Sequence, residues 1–126
     1  MKTLLVVDDK EDIVALVKNR LQANNYQVIV ASDGREGIEK ARQYKPDLIV
    51  MDILMPKYSG GDAVKVLKSD VATKHIPVLF LTVAASPVAD GEEPGRVCVD
   101  GQFFPAIGKP FKPEKLLFEI KKLIGD

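Results

Sequence analysis

Asp47-Leu48-Ile49-Val50-Met51-Asp52-Ile53-Leu54-Met55-Pro56 is the stretch that decides the fold. Its unbroken apolar run, Leu48 to Met51, follows the break at Pro46 and leads straight into an acid. A short apolar run without alternation, bounded by turn residues, reads as a strand buried on both faces. Such strands belong to parallel sheets covered by helices on either side. Asp52 then ends the strand at its carboxyl end, the edge where open α/β sheets bind ligands.

The same grammar extends towards the N-terminus. Arg35 to Tyr44 is a helix with Gly37, Ile38 and Ala41 inward, and Ser32-Asp33-Gly34 is its turn and cap. Tyr26 to Ala31 reads as a strand. Asn24-Asn25 closes a helix over Glu11 to Asn24, with Ile13, Leu16, Val17 and Leu21 on one face. Leu4 to Val7 is the first strand, and it ends on Asp8-Asp9.

Towards the C-terminus, Ser59-Gly60-Gly61 frames a loop before a helix from Asp62 to Ser69, with Ala63, Val66 and Leu67 buried. His75-Ile76-Pro77 leads into a strand from Val78 to Leu81 that ends on Thr82. Between Ala84 and Gly101, the residues Pro87, Gly91, Pro94, Gly95 and Gly101 argue against a full-length helix. Gln102 to Ile107 is the fifth strand, and Pro105 favours an edge position for it. Pro113 opens a last helix through Ile124, packing on Leu116, Leu117, Ile120, the stem of Lys121, Leu123 and Ile124. Five strands alternating with helices predict an α/β, three-layer doubly wound parallel sheet.

A chain of 126 residues is one domain, 1–126, because two would leave each too little core. Its 18 basic and 18 acidic residues cancel, so nothing suggests the basic face of a direct nucleic-acid binder. A single cysteine, Cys98, allows no internal disulfide and fits a reducing compartment. The apolar run near the N-terminus covers only Leu4 to Val7, too short for a signal peptide. No stretch approaches the ~18 apolar residues of a membrane helix, so the expectation is a cytoplasmic protein without membrane insertion.

Three carboxylates, a hydroxyl and an ammonium fall at successive strand ends: Asp8, Asp9, Asp52, Thr82 and Lys109. Each alone has an ordinary structural reading as a cap, a turn or a solvated charge. Together they converge on one sheet edge at the point where strand order reverses. Three carboxylates cannot comfortably ionise side by side without a cation. An oxygen-only set suits Mg²⁺, which also offsets phosphoryl charge. A carboxylate can act as a nucleophile and form an aspartyl phosphate. Lys109 supplies a point charge for a phosphoryl oxygen, and Thr82 a hydroxyl donor.

Val7-Asp8-Asp9, Val50-Met51-Asp52-Ile53-Leu54-Met55-Pro56, Leu81-Thr82 and Lys109-Pro110-Phe111, in this order, resemble the response-regulator receiver domain of two-component signalling. The resemblance covers essentially the whole chain. It implies a flavodoxin-like (βα)5 fold with strand order 2-1-3-4-5. It implies phosphorylation of Asp52 by the phosphohistidine of a sensor histidine kinase or a histidine phosphotransfer protein. It also implies Mg²⁺ on Asp9, Asp52 and the backbone carbonyl of Leu54, with Asp8 reached through water. Lys109 would contact the phosphoryl group, Thr82 would move towards it, and the Lys109-Pro110 bond would be cis.

The chain departs from the family pattern in three places. Val83 stands where a very small residue is usual, Ala106 stands where the switch aromatic is usual, and the fourth-helix region is longer and remodelled. Phe103 or Phe104 is the candidate replacement aromatic. By the same analogy the protein is a switch, monomeric or dimerising on phosphorylation, acting on a downstream protein and catalysing only its own phosphorylation and dephosphorylation. The departures keep open a receiver-like interaction domain that works without phosphorylation. A phosphohydrolase with an aspartate nucleophile is disfavoured because Leu54 occupies the place of that class's second aspartate. His75 reads as structural or surface, and Cys98 as a small buried or loop residue.

Overall fold

The computed structural model describes residues 1–55, 58–82 and 95–125. The elements are β1 (Thr3–Val7), α1 (Glu11–Ala23), β2 (Gln27–Ala31), α2 (Gly34–Tyr44), β3 (Leu48–Asp52), α3 (Gly60–Ser69), β4 (Val78–Thr82), β5 (Gly95–Val99), β6 (Gln102–Gly108) and α4 (Pro113–Ile124). Pro56, Val83, Pro87, Gly91 and Pro94 lie outside the described residues, and so does the expected fourth-helix region up to residue 94.

One sheet runs in the order β2-β1-β3-β4-β6-β5. Its first five strands pair in parallel, as expected for order 2-1-3-4-5. All five residues of β3 are buried, because helices cover both faces. On one face α2 and α3 cover Leu5, Val7, Ile49, Met51 and Phe80. On the other, α1 and α4 cover Leu4, Val6, Leu48, Val50, Leu79 and Ile107.

The starts of α2 and α3 are fixed by side chains. Asp33 caps α2 by accepting from the Glu36 N–H at 2.8 Å, while Glu36 reaches back to the Ser32 N–H at 2.7 Å. The Ser59 hydroxyl accepts from the Asp62 N–H at 3.1 Å and starts α3 two residues earlier than the sequence suggests. Gly60 and Gly61 are therefore helical rather than loop residues.

Two expectations about the outer strands are corrected. The strand at Gln102–Gly108 is internal, not an edge, because Gly95–Val99 folds back beside it as an antiparallel strand. The turn between them is Asp100-Gly101, with φ of +51° and +79° at the two residues, as a two-residue hairpin turn requires. In such a turn Val99 and Gln102 are the hydrogen-bonded pair, so the ladder alternation makes Arg96 and Pro105 a non-bonded pair. The missing N–H of Pro105 then costs the hairpin nothing, and Pro105 also lies just before the residues that pair with β4. Cys98, on this outermost strand, is exposed rather than buried or in a loop.

The helix faces differ slightly from the periodic reading. In α1, Leu16 is exposed while Val17 and Leu21 are buried. In α3, Val64 is buried and Val66 only partly. In α4, Lys121 and Leu123 face solvent and the carboxyl-bearing Glu119 is buried instead.

Candidate functional site

The parallel register sets which side chains meet. Val7 pairs with Met51 and Asp52 with Leu81, so the ends of β1, β3 and β4 lie level. Thr82 pairs with Gly108, which places Lys109 immediately beyond the same edge. The Thr82 side chain lies outside the described residues; its backbone is at the expected strand end. The Lys109-Pro110 peptide bond is cis, as the resemblance implies.

Asp8 and Asp52 are each 3% exposed, and Asp9 is partly exposed above them. One carboxylate oxygen from each of the three residues falls within a 4.8 Å cluster. Asp8 has both oxygens engaged: the Lys10 N–H donates to Oδ1 at 2.9 Å, and Lys109 Nζ donates to Oδ2 at 2.9 Å. Asp52 Oδ1 accepts a long bond, 3.3 Å, from the Leu54 N–H. Lys109 Nζ is also 3.3 Å from Asp52 Oδ2, an ion pair whose angles do not make a hydrogen bond.

The turn after Asp52 is pinned by backbone contacts. The Ile53 carbonyl accepts from the N–H groups of Met55 at 3.1 Å and Gly60 at 2.9 Å. A Cβ on Gly60 would collide with the Asp52 carbonyl oxygen, so only glycine lets α3 close this near Asp52. In the sequence Gly60 reads as a loop residue, since a glycine eight residues after a strand-end acid carries no signal of such contact. Lys10 is the other residue that sequence reasoning passed over, since a lysine at a helix start reads as solvated.

Burial pushes the Asp52 carboxyl up from its ordinary value, and the neighbouring Asp8 charge adds to the rise; Lys109 only partly offsets them. Burial alone would lower Lys109, but its hydrogen bond to Asp8 and the charges of Asp8 and Asp52 outweigh burial and hold it above its ordinary value. Asp52 is thus an acid whose charge is under-compensated, beside a lysine that stays charged.

A hard divalent cation fits this set. Among the described residues, the buried side-chain atoms without a hydrogen-bond partner are Asp9 Oδ1 and Asp52 Oδ2. Buried oxygens are rarely left unpaired. Two such oxygens in one all-carboxylate cluster are the donor chemistry that Mg²⁺ takes.

Fold and site together define a doubly wound α/β domain with an acidic centre at its topological switch point. The family model for the response regulator receiver domain matches residues 4–121. The chain belongs to this family. It is 34% identical over 125 residues to the polar-differentiation response regulator DivK of Brucella anthropi, covering 99% of this chain and 98% of that protein. It is 37% identical to the alkaline phosphatase synthesis transcriptional regulatory protein PhoP of Bacillus subtilis, across 98% of this chain and 48% of that longer protein. Among solved structures, the chemotaxis protein CheY4 of Vibrio cholerae superposes with a TM-score of 0.82 at 34% identity, covering 98% of each chain. The fold is therefore the two-component receiver fold, extended by the outer strand β5. Among the described residues no helix is long and apolar enough to cross a membrane.

Proposed function

We propose that Asp52 accepts a phosphoryl group from the phosphohistidine of a sensor histidine kinase or histidine phosphotransfer protein. The observation that carries this reading is the Asp52 carboxylate: buried, left with an unpartnered oxygen, and flanked by Lys109 and two further acids. A carboxylate oxygen of Asp52 forms the new O–P bond as the donor's N–P bond breaks, and the bonding pair remains on the imidazole nitrogen. The residues need only position the groups and compensate charge, since phosphoryl transfer asks little else of a protein.

Asp9, Asp52 and the Leu54 carbonyl would hold Mg²⁺, with Asp8 acting through water; the bound ion would neutralise charge on the phosphoryl oxygens. The free oxygens on Asp9 and Asp52, against the engaged ones on Asp8, support that division. Lys109 is charged and already within 3.3 Å of Asp52, so a phosphoryl oxygen there gains an ammonium partner. That exchange weakens its bond to Asp8 and shifts the loop after β6. Thr82, at the neighbouring strand end, is the hydroxyl donor that responds. The protein acts as a switch for a downstream protein partner and catalyses only its own phosphorylation and dephosphorylation.

Incubation with Mg²⁺ and acetyl phosphate, followed by intact-mass measurement, tests the reading. A single phosphoryl adduct is expected, absent in Asp52→Asn and absent without Mg²⁺. An adduct that survives Asp52→Asn would refute the assignment of the acceptor.

A further inference from the structure

The two unpartnered oxygens share a neighbour that phosphoryl transfer does not use. Lys10 Nζ lies 3.7 Å from Asp9 Oδ1 and 3.9 Å from Asp52 Oδ2. These are the same two oxygens that lack a hydrogen bond. Both separations are too long for hydrogen bonds but short enough for charge attraction.

The root of Lys10 is fixed and its tip is not. Its N–H donates to Asp8 Oδ1 at 2.9 Å, and its carbonyl accepts from the Val14 N–H at 3.0 Å as α1 begins. Its side chain is 55% exposed, whereas Lys109, hydrogen-bonded to Asp8, is 12% exposed. The ammonium of Lys10 can turn into water on its flexible stem. That of Lys109 is held by a buried partner.

We infer that Lys10 is a tethered counter-ion that competes with a divalent cation for Asp9 Oδ1 and Asp52 Oδ2, and so sets the cation affinity of the site. The inference rests on the metal-binding reading above. An ammonium and a dication cannot approach the same two oxygens together, because their charges repel. Cation binding therefore displaces Lys10 and costs its attraction to both carboxylates. The competition is modest because the lysine is half-exposed, and it weakens with salt.

The test is Mg²⁺ titration of the full ¹⁵N-labelled chain, after removal of metal, read from amide shifts around Asp9 and Leu54. Lys10→Met is expected to bind Mg²⁺ roughly three- to tenfold more tightly than the wild type at low ionic strength, the range of a partly screened ion pair. Lys10→Arg should stay near wild type. Lys74→Met, which removes an exposed charge before β4 at the opposite end of the sheet, should also stay near wild type. The gain in Lys10→Met should shrink as salt is added. Equal or weaker binding by Lys10→Met overturns the role of Lys10 while leaving the receiver site intact. An equal gain in Lys74→Met reduces the effect to net charge and overturns it too. No Mg²⁺ binding by any variant overturns the metal-binding reading itself, and the inference with it.

Discussion

Replacing Asp52 should make the metal-free protein more stable. Asp52 is 3% exposed, one of its oxygens accepts only a 3.3 Å bond, and the other accepts none. Its carboxyl is raised above the ordinary value of 3.8 by burial and by Asp8. A carboxyl raised in the native state binds protons more tightly folded than unfolded, so stability falls as pH rises through that window. The penalty of the ionised form is fully present once the pH exceeds the raised folded value. Asp52→Asn keeps the shape and removes the charge, which should stabilise the chain by about 1–3 kcal/mol, the cost of an imperfectly compensated buried polar group. With a urea m-value of about 2 kcal/mol/M, the midpoint moves up by about 1 M. Urea melts in EDTA at neutral pH, repeated at acidic pH, measure this directly. The gain should vanish below the ordinary carboxyl value, where Asp52 is protonated in both states. A variant less stable than wild type at neutral pH, or a gain that grows on acidification, would refute the reasoning.

Two other substitutions probe how the site is held. Gly60→Ala places a Cβ against the Asp52 carbonyl and 2.9 Å from Ile53 Cα, both backbone atoms that cannot step aside. It should cost about 2–4 kcal/mol and lower the thermal midpoint by several degrees; an unchanged midpoint would show that α3 is free to retreat. Lys109→Met removes the 2.9 Å bond to Asp8 and leaves Asp8 and Asp52 buried without their common cation. Without metal it should lose about 3–5 kcal/mol in urea unfolding, and Mg²⁺ should restore part of the loss; a loss below about 0.5 kcal/mol would contradict the pairing.

The site was legible because its residues sit where the local pattern changes. Asp8-Asp9 and Asp52 each interrupt an apolar run, and a parallel sheet turns such interruptions into neighbours. The outer hairpin was also encoded: Val97-Cys98-Val99, Asp100-Gly101, then Gln102-Phe103 is a strand–turn–strand signal. Read only as a helix breaker, Gly101 leaves Pro105 on an edge that β5 in fact occupies. The replacement for the aromatic missing at Ala106 was not legible. Ala106 is fully buried in β6, Phe104 packs edge-on against Phe80 at 5.8 Å, and Phe103 is 64% exposed beneath Arg96.

By itself the sequence determined the alternation of strands and helices, the family, and the identity of the acids and the lysine at the strand ends. These follow from local periodicity and from residue chemistry that no packing alters. Only the tertiary structure decided how charge is shared among them. It gave both Asp8 oxygens to backbone and Lys109, left one oxygen each on Asp9 and Asp52 without a hydrogen bond, and hung Lys10 over that pair. Residues 101 positions apart, such as Asp8 and Lys109, meet only because the register of separate strands brings them level, and hydrogen-bond partnership depends on angles and on tenths of an ångström.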